Sequence, residues 1–181
     1  MKTRIPFLFL SITLCMMVFN GCKKTVSKAS FIKNYGVASF TADTVSGVGA
    51  KFLGEQIVKT DLTNDLADQG FTMANIKSVR ILNLVLSVVD PNRNLNCFRR
   101  LEVRVSNSSG AGDVTITSVN LPDETSAKSV YFTDEDIDMH DFFKNDELTF
   151  KFYGVNDLPI RPTPLQMEVR MTFEVNTALG N

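Results

Sequence analysis

From residue 76 onward, apolar side chains recur with a period of two. In "LQMEVRMTFEV", Leu165, Met167, Val169, Met171, Phe173 and Val175 alternate with Gln166, Glu168, Arg170, Thr172 and Glu174. Alternation without a slip marks an antiparallel strand with one buried face, because successive side chains of a strand point to opposite sides. "LEVRVS" likewise sends Leu101, Val103 and Val105 inward and Glu102 and Arg104 outward. In "VRILNLVLSVV", Leu82, Leu84, Leu86 and Val88 share one face, while the other is only half polar, which predicts a central strand. Further strands are expected at Val114–Ile116, at "SVYF" around Val130 and Phe132, and at "ELTFKFY" around Leu148, Phe150 and Phe152. A first strand is expected in "YGVASFTADTV", Tyr35 to Val45. Between Val48 and Phe71 the pattern differs. Ile57, Leu62 and Leu66 recur at helical intervals, Asp61, Thr63 and Asn64 offer caps, and Gly70 offers a stop, which predicts one short helix near Leu62–Gln69. About seven strands at turn-punctuated spacing, with one or two short helices, predict a mainly β, antiparallel β-sandwich.

The front of the chain follows another logic. Lys2 and Arg4 precede an apolar run from Ile5 to Phe19, too short to span a bilayer as a helix. A charged start and a short apolar segment are the marks of a secretory signal. The segment ends at Gly21-Cys22 and so resembles the lipobox of bacterial lipoproteins, in which the cysteine is acylated and becomes the mature N-terminus. Phe19 and Asn20 stand where that motif usually has a leucine and a small residue. The expected organisation is a signal peptide over 1–21, a lipidated tether over 22–34 and the sandwich over 35–181. Lysines of "KKTVSKASFIK" would suit anionic headgroups.

Cleavage before Cys22 removes two of the 19 basic residues and none of the 20 acidic ones, leaving a formal net charge of −3. That balance does not suit a nucleic-acid binder. Of three cysteines, Cys15 leaves with the signal and Cys22 is lipidated, so Cys97 remains and no intramolecular disulfide is expected. Packing alone must hold the domain.

The features "IKSVRILNLVLSV", the acidic "DEDIDMHDFFKND", the lipobox and the long alternating last strand together resemble a group of uncharacterised outer-membrane lipoproteins of Bacteroidota. That resemblance implies an immunoglobulin-like sandwich and no assigned activity. Members displayed outside the cell often carry acids after the cysteine; Lys23 and Lys24 here favour the periplasmic side of the outer membrane.

Residues for chemistry are few. His140 is the single histidine, and a hydrolytic triad or a histidine-rich metal site needs one beside a partner. Asp134, Asp136 and Asp138 alternate like calcium-loop ligands, yet the turn glycine and the twelfth-position glutamate of such a loop are missing. Nothing selects a carboxylate pair for glycoside hydrolysis. No catalytic residue, cofactor or metal is therefore expected. The loop "NDLPIRPTPLQ" carries Pro159, Arg161, Pro162 and Pro164 and reads first as a stiff hairpin connection that keeps a strand edge from pairing with other chains, and second as a candidate interaction loop, since proline lowers the entropy lost on binding. The expected function is a non-enzymatic, lipid-anchored structural or interaction module of the cell envelope, with an envelope protein or a glycan as partner. The alternatives are a carbohydrate-binding module, disfavoured by the absence of tryptophan, and a fimbria-like surface subunit.

Overall fold

The computed structural model describes residues 28–42, 49–107, 113–122, 125–132, 137–145, 147–156 and 164–179. Eight strands form among the described residues: β1 (Lys28–Ala42), β2 (Gly49–Lys59), β3 (Ile76–Val88), β4 (Arg100–Asn107), β5 (Val114–Asn120), β6 (Ser129–Phe132), β7 (Glu147–Asn156) and β8 (Leu165–Ala178). Helix α1 (Leu62–Asp68), a 3-10 turn (Met73–Asn75) and helix α2 (His140–Phe143) complete the described elements.

Two antiparallel sheets, ordered β1-β8-β3-β6 and β2-β7-β4-β5, pack face to face. The expected antiparallel sandwich is thus present, with the two-sheet architecture of immunoglobulin-like domains. Its wiring follows one rule. β1 pairs with β8, β2 with β7, β3 with β6 and β4 with β5. The chain is a single long hairpin, folded at β4–β5 and wrapped so that successive pairs alternate between sheets. β3–β8 and β4–β7 then seal the sheets laterally. That is the strand order of a jelly roll.

The last strand behaves as its pattern demands. Leu165, Met167, Val169, Met171, Phe173 and Val175 are all buried, and Phe173 packs against Phe143, Phe150 and Tyr35 at ring centroid distances of 4.9, 5.8 and 5.6 Å. Leu101, Val103 and Val105 of β4 face the same core. Gly54 of β2 and Gly154 of β7 are notches filled by neighbouring phenylalanines. A Cβ at Gly54 would lie 2.3 Å from Cδ2 of Phe40, whose ring stacks on Phe152 at 5.1 Å.

Four expectations need correction. β1 begins at Lys28, inside the stretch read as tether, and ends at Ala42 rather than Val45. A strand, β2, occupies Gly49–Lys59, where helical spacing had been read from Ile57 onward. Its alternation is broken by a register shift between Phe52 and Gly54, and it turns the apolar side chains Phe52 and Ile57 outward. In β3 a shift between Ile81 and Asn83 buries Ile81 and leaves Leu82 46% exposed, so Leu82 does not share the inner face of Leu84. Finally, Asp61 stands at the start of α1 in a left-handed conformation and makes no capping hydrogen bond. Gly70, at φ 79°, does end that helix, and Phe71 donates its N–H to the Leu66 carbonyl.

The strands run lengthwise, so the sandwich has two distinct ends. The lower end gathers the start of β1, the end of β8 and the start of β3, with Lys28 opposite Ala178 and Ile76 opposite Thr177. α1 joins it through Lys33–Asp65 (2.5 Å), and α2 through the Met139 N–H on the Val79 carbonyl (2.8 Å). The upper end gathers Ala42, Gly49, Val88, Asn156 and Leu165.

Candidate interaction surface

The outer face of the second sheet carries most of the charge chemistry. Alternation places Arg100, Glu102 and Arg104 on the outside of β4, beside Lys151 and Tyr153 of β7. Glu102 is nonetheless only 5% exposed. Its carboxylate accepts from Arg104 Nε at 2.6 Å, Arg100 Nη2 at 2.8 Å and Thr115 Oγ1 at 3.2 Å. Burial pushes the Glu102 carboxyl up, but the hydrogen bonds and charges of Arg104, Thr115 and Arg100 outweigh it and hold the group below the usual glutamate range. Lys151 donates to Asp113 Oδ1 at 2.8 Å, which lowers the Asp113 carboxyl and raises the lysine. Arg104 lies 4.3 Å from the centroid of the Tyr153 ring, and Phe52 meets the same ring edge-on, at 5.7 Å and 70°. The network is closed. Its acids and bases satisfy one another across β4, β5 and β7, and Tyr153 is already stacked.

In the acidic segment, Asp138 turns its carboxylate toward the fold. Asp138 Oδ1 accepts the backbone N–H groups of Val79 and His140, both at 2.9 Å, and so pins the segment after β6 to β3. Asp134 and Asp136 lie outside the described residues. His140 Nδ1 is 3.4 Å from Asp141 Oδ1, and Lys144 donates to the same oxygen at 2.7 Å, which holds the Asp141 carboxyl low. Among the described residues no group of three His, Cys, Asp or Glu side chains could hold a metal ion. Cys97, in no disulfide, is partly buried against the core. Tyr35 is an inward residue: its hydroxyl donates to the Thr60 carbonyl at 3.0 Å, and burial raises the phenol above its ordinary range. Cys22, Pro159, Arg161 and Pro162 lie outside the described residues, while Pro164 immediately precedes β8. No helix among the described residues is long and apolar enough to cross a membrane.

The outer face of the first sheet differs in kind. One register row crosses all four strands: Val37 of β1, Arg170 of β8, Val85 of β3 and Tyr131 of β6. Tyr131 is 65% and Val37 53% exposed. Ile32 and the bulged Leu82 add two more exposed apolar side chains to this face. Around them stand Ser39, Asn83, Thr172 and Ser129, with charged Glu174 opposite both Ile32 and Arg80, and Glu168 opposite Ser39. The pattern reading missed this face by turning Leu82 inward. Val79 and Ile81 fall out of phase with Leu84, Leu86 and Val88, which an extra residue between them accommodates, but Leu82 continues the latter phase, so alternation alone turns it inward.

No protein-family model matches the sequence, and no curated protein matches it. Among solved structures, the chain is similar to one in the crystal structure of the infectious bursal disease virus VP2 subviral particle, at 11% identity and a TM-score of 0.39. The match covers 88% of this chain and 35% of that one, so this chain spans about a third of its length. A second similarity is to a chain in the cryo-EM structure of Mud crab tombus-like virus, at 9% identity and a TM-score of 0.25, covering 92% of this chain and 99% of that one. The jelly-roll assignment stands on the strand order of this chain itself.

Proposed function

We propose that this chain is a non-enzymatic interaction module of the cell envelope, carried on a lipid at Cys22 on the periplasmic side of the outer membrane. Its contact surface is the outer face of the first sheet. The partner is a protein with an apolar patch that fits around Ile32, Val37 and Tyr131 and an acid facing Arg170. The observation that supports this reading is the set of exposed apolar side chains on this face, Ile32, Val37, Leu82 and Tyr131, with Arg170 and the buried Val85 between Val37 and Tyr131 in one register row. Exposed apolar side chains with a tyrosine and an arginine match the composition of protein contact surfaces. A glycan finds less to hold. The Tyr153 ring is engaged by Arg104 and Phe52, and the exposed Phe52 and Tyr131 stand on opposite sheets.

Two experiments test it. Cys22→Ser is expected to lose palmitate labelling and leave the membrane fraction; a variant that still labels and pellets sinks the anchor. A photocrosslinking side chain at Tyr131 in intact cells is expected to give a discrete protein adduct that Val37→Asp abolishes without lowering the melting temperature. The same probe at Ser118, on the opposite sheet, is expected to give none. Equal adducts from both faces, or insensitivity to Val37→Asp, would refute the assigned surface.

A further inference from the structure

We infer that the lower end of the sandwich is held against the bilayer and the upper end is presented away from it. The inference rests on the proposed lipid at Cys22. It follows from a length: β1 begins at Lys28, so only five residues, Lys23 to Ser27, separate the acylated cysteine from the first strand. Six residue steps span at most about 21 Å when fully extended. β8, which runs from the upper end to the lower, has 14 residues and measures about 45 Å at strand rise. The tether is therefore less than half as long as the domain it holds. Inverting the domain, with the upper end at the lipid surface and the lower end away from it, would need a tether of about the strand length. A strand beginning at Tyr35 would have left twelve residues of tether, about 45 Å at full extension, and no such constraint.

The chemistry of the lower end suits the place. α1 and the turn after it expose Thr63, Asn64, Asp68, Gln69 and Thr72, polar groups that belong at a headgroup surface rather than in acyl chains. Lys28 and Lys77 are exposed at the same end, and Lys23 and Lys24 lie in the tether. Each lysine near an anionic surface adds about 1 kcal/mol of attraction. Lys59 and Lys144 are also exposed at this end, but the exposed acids Asp61, Asp68, Asp141 and Glu147 balance the lysines there, so the orientation depends on tether length and not on charge. Two consequences follow. The face bearing Val37 and Tyr131 stands roughly perpendicular to the membrane, open to a partner from the side. Asn156, where the chain leaves β7, and Leu165, where it enters β8, belong to the membrane-distal end.

The test uses the full-length acylated chain in a Cys97→Ser background, in vesicles that contain a nickel-chelating lipid. A nitroxide is placed at Ala74→Cys, exposed in the 3-10 turn of the lower end, or at Asn92→Cys, exposed after β3 at the upper end. Unchanged thermal melting verifies the fold of each variant. Nickel-induced relaxation is expected to be several-fold stronger at position 74 than at position 92. A flexible Gly-Ser spacer inserted after Thr25, longer than the sandwich, is expected to collapse that difference. Equal relaxation at the two positions, or stronger relaxation at position 92, overturns the orientation. A chain that carries no acyl group and fails to float with vesicles overturns the Cys22 reading instead.

Discussion

Replacing Glu102 by glutamine changes one charge and almost no volume, which makes it the sharpest probe of the outer face of the second sheet. The carboxylate is 6% exposed, whereas its partners Arg100 and Arg104 are 46% and 31% exposed. Removing one member of a fully buried pair costs about 3–5 kcal/mol, because the other charge is stranded out of water. Here both guanidinium groups can recover hydration, and the amide keeps one carbonyl oxygen for Thr115 or Arg104. The cost falls accordingly, to about 2 kcal/mol, near the value of one charge-assisted hydrogen bond. For a domain of this size that is a drop of about 4–8 °C in melting temperature. The pH dependence is the stronger test. The folded carboxyl sits below its unfolded value, so its contribution is fully present above the unfolded value, about pH 4.3, and is lost as pH falls through the folded one. Calorimetric melting of both proteins from about pH 7 to about pH 3 should show the wild-type advantage shrinking at the acid end. If Glu102→Gln melts with the wild type at neutral pH, or the gap stays constant into acid, the carboxylate is not the keystone of this face.

The remaining predictions probe packing and register. Gly54→Ala drives a Cβ into the Phe40 ring and should cost about 1–3 kcal/mol by urea unfolding, while Gly54→Ala with Phe40→Leu should recover part of it; equal stability of Gly54→Ala and wild type would contradict the close approach of β1 and β2. Ile81→Asp should prevent folding, whereas Leu82→Asp, one residue along on the outward bulge, should melt near the wild type; the reverse order would refute the phase shift in β3. Asp138→Ala removes the acceptor of two backbone amides and should cost about 2 kcal/mol, with faster amide exchange at Val79 as its local signature.

Periodicity is legible where one face of a strand is buried and the strand itself carries no bulge. β8 and β4 satisfy both conditions, because the shifts in their ladders fall on the partner strands β1, β3 and β5, and their inward residues can be read one by one. It failed where a bulge shifts the phase. At Phe52–Gly54 the shift hid a whole strand among apolar residues on both faces, and at Ile81–Asn83 it reversed the facing of Leu82. Strand pairing was not legible at all, because periodicity reports a face and never a partner. The hidden burial of Glu102 has the same origin: alternation correctly sends it outward, and only the lateral neighbours Arg100, Arg104 and Thr115 cover it. For the contact surface, Val37 and Tyr131 lie more than 90 residues apart in sequence and meet only through β8 and β3.

That pairing would let the domain, with no disulfide among the described residues, bear load at one end under the proposed lipid anchor. The lipid would pull on β1, an edge strand, and an isolated edge is the weakest part of a sheet. β1 is instead paired along thirteen register positions with β8, the most regularly buried strand of the molecule. It is stitched to α1 by Lys33–Asp65 and to the carbonyl of Thr60, just after β2, by the Tyr35 hydroxyl, and its Phe40 ring fills the notch of Gly54 on the opposite sheet. Each contact joins β1 to residues distant in sequence, so the anchored strand cannot peel away without opening both sheets. The Gly36 kink at φ 68°, where the β1–β8 register shifts between Asn34 and Val37, bends the strand between these two sets of contacts. If the proposed lipid at Cys22 is present, an attachment point one strand long and continuous with the core would let the outer face of the first sheet stay rigid while it remains exposed.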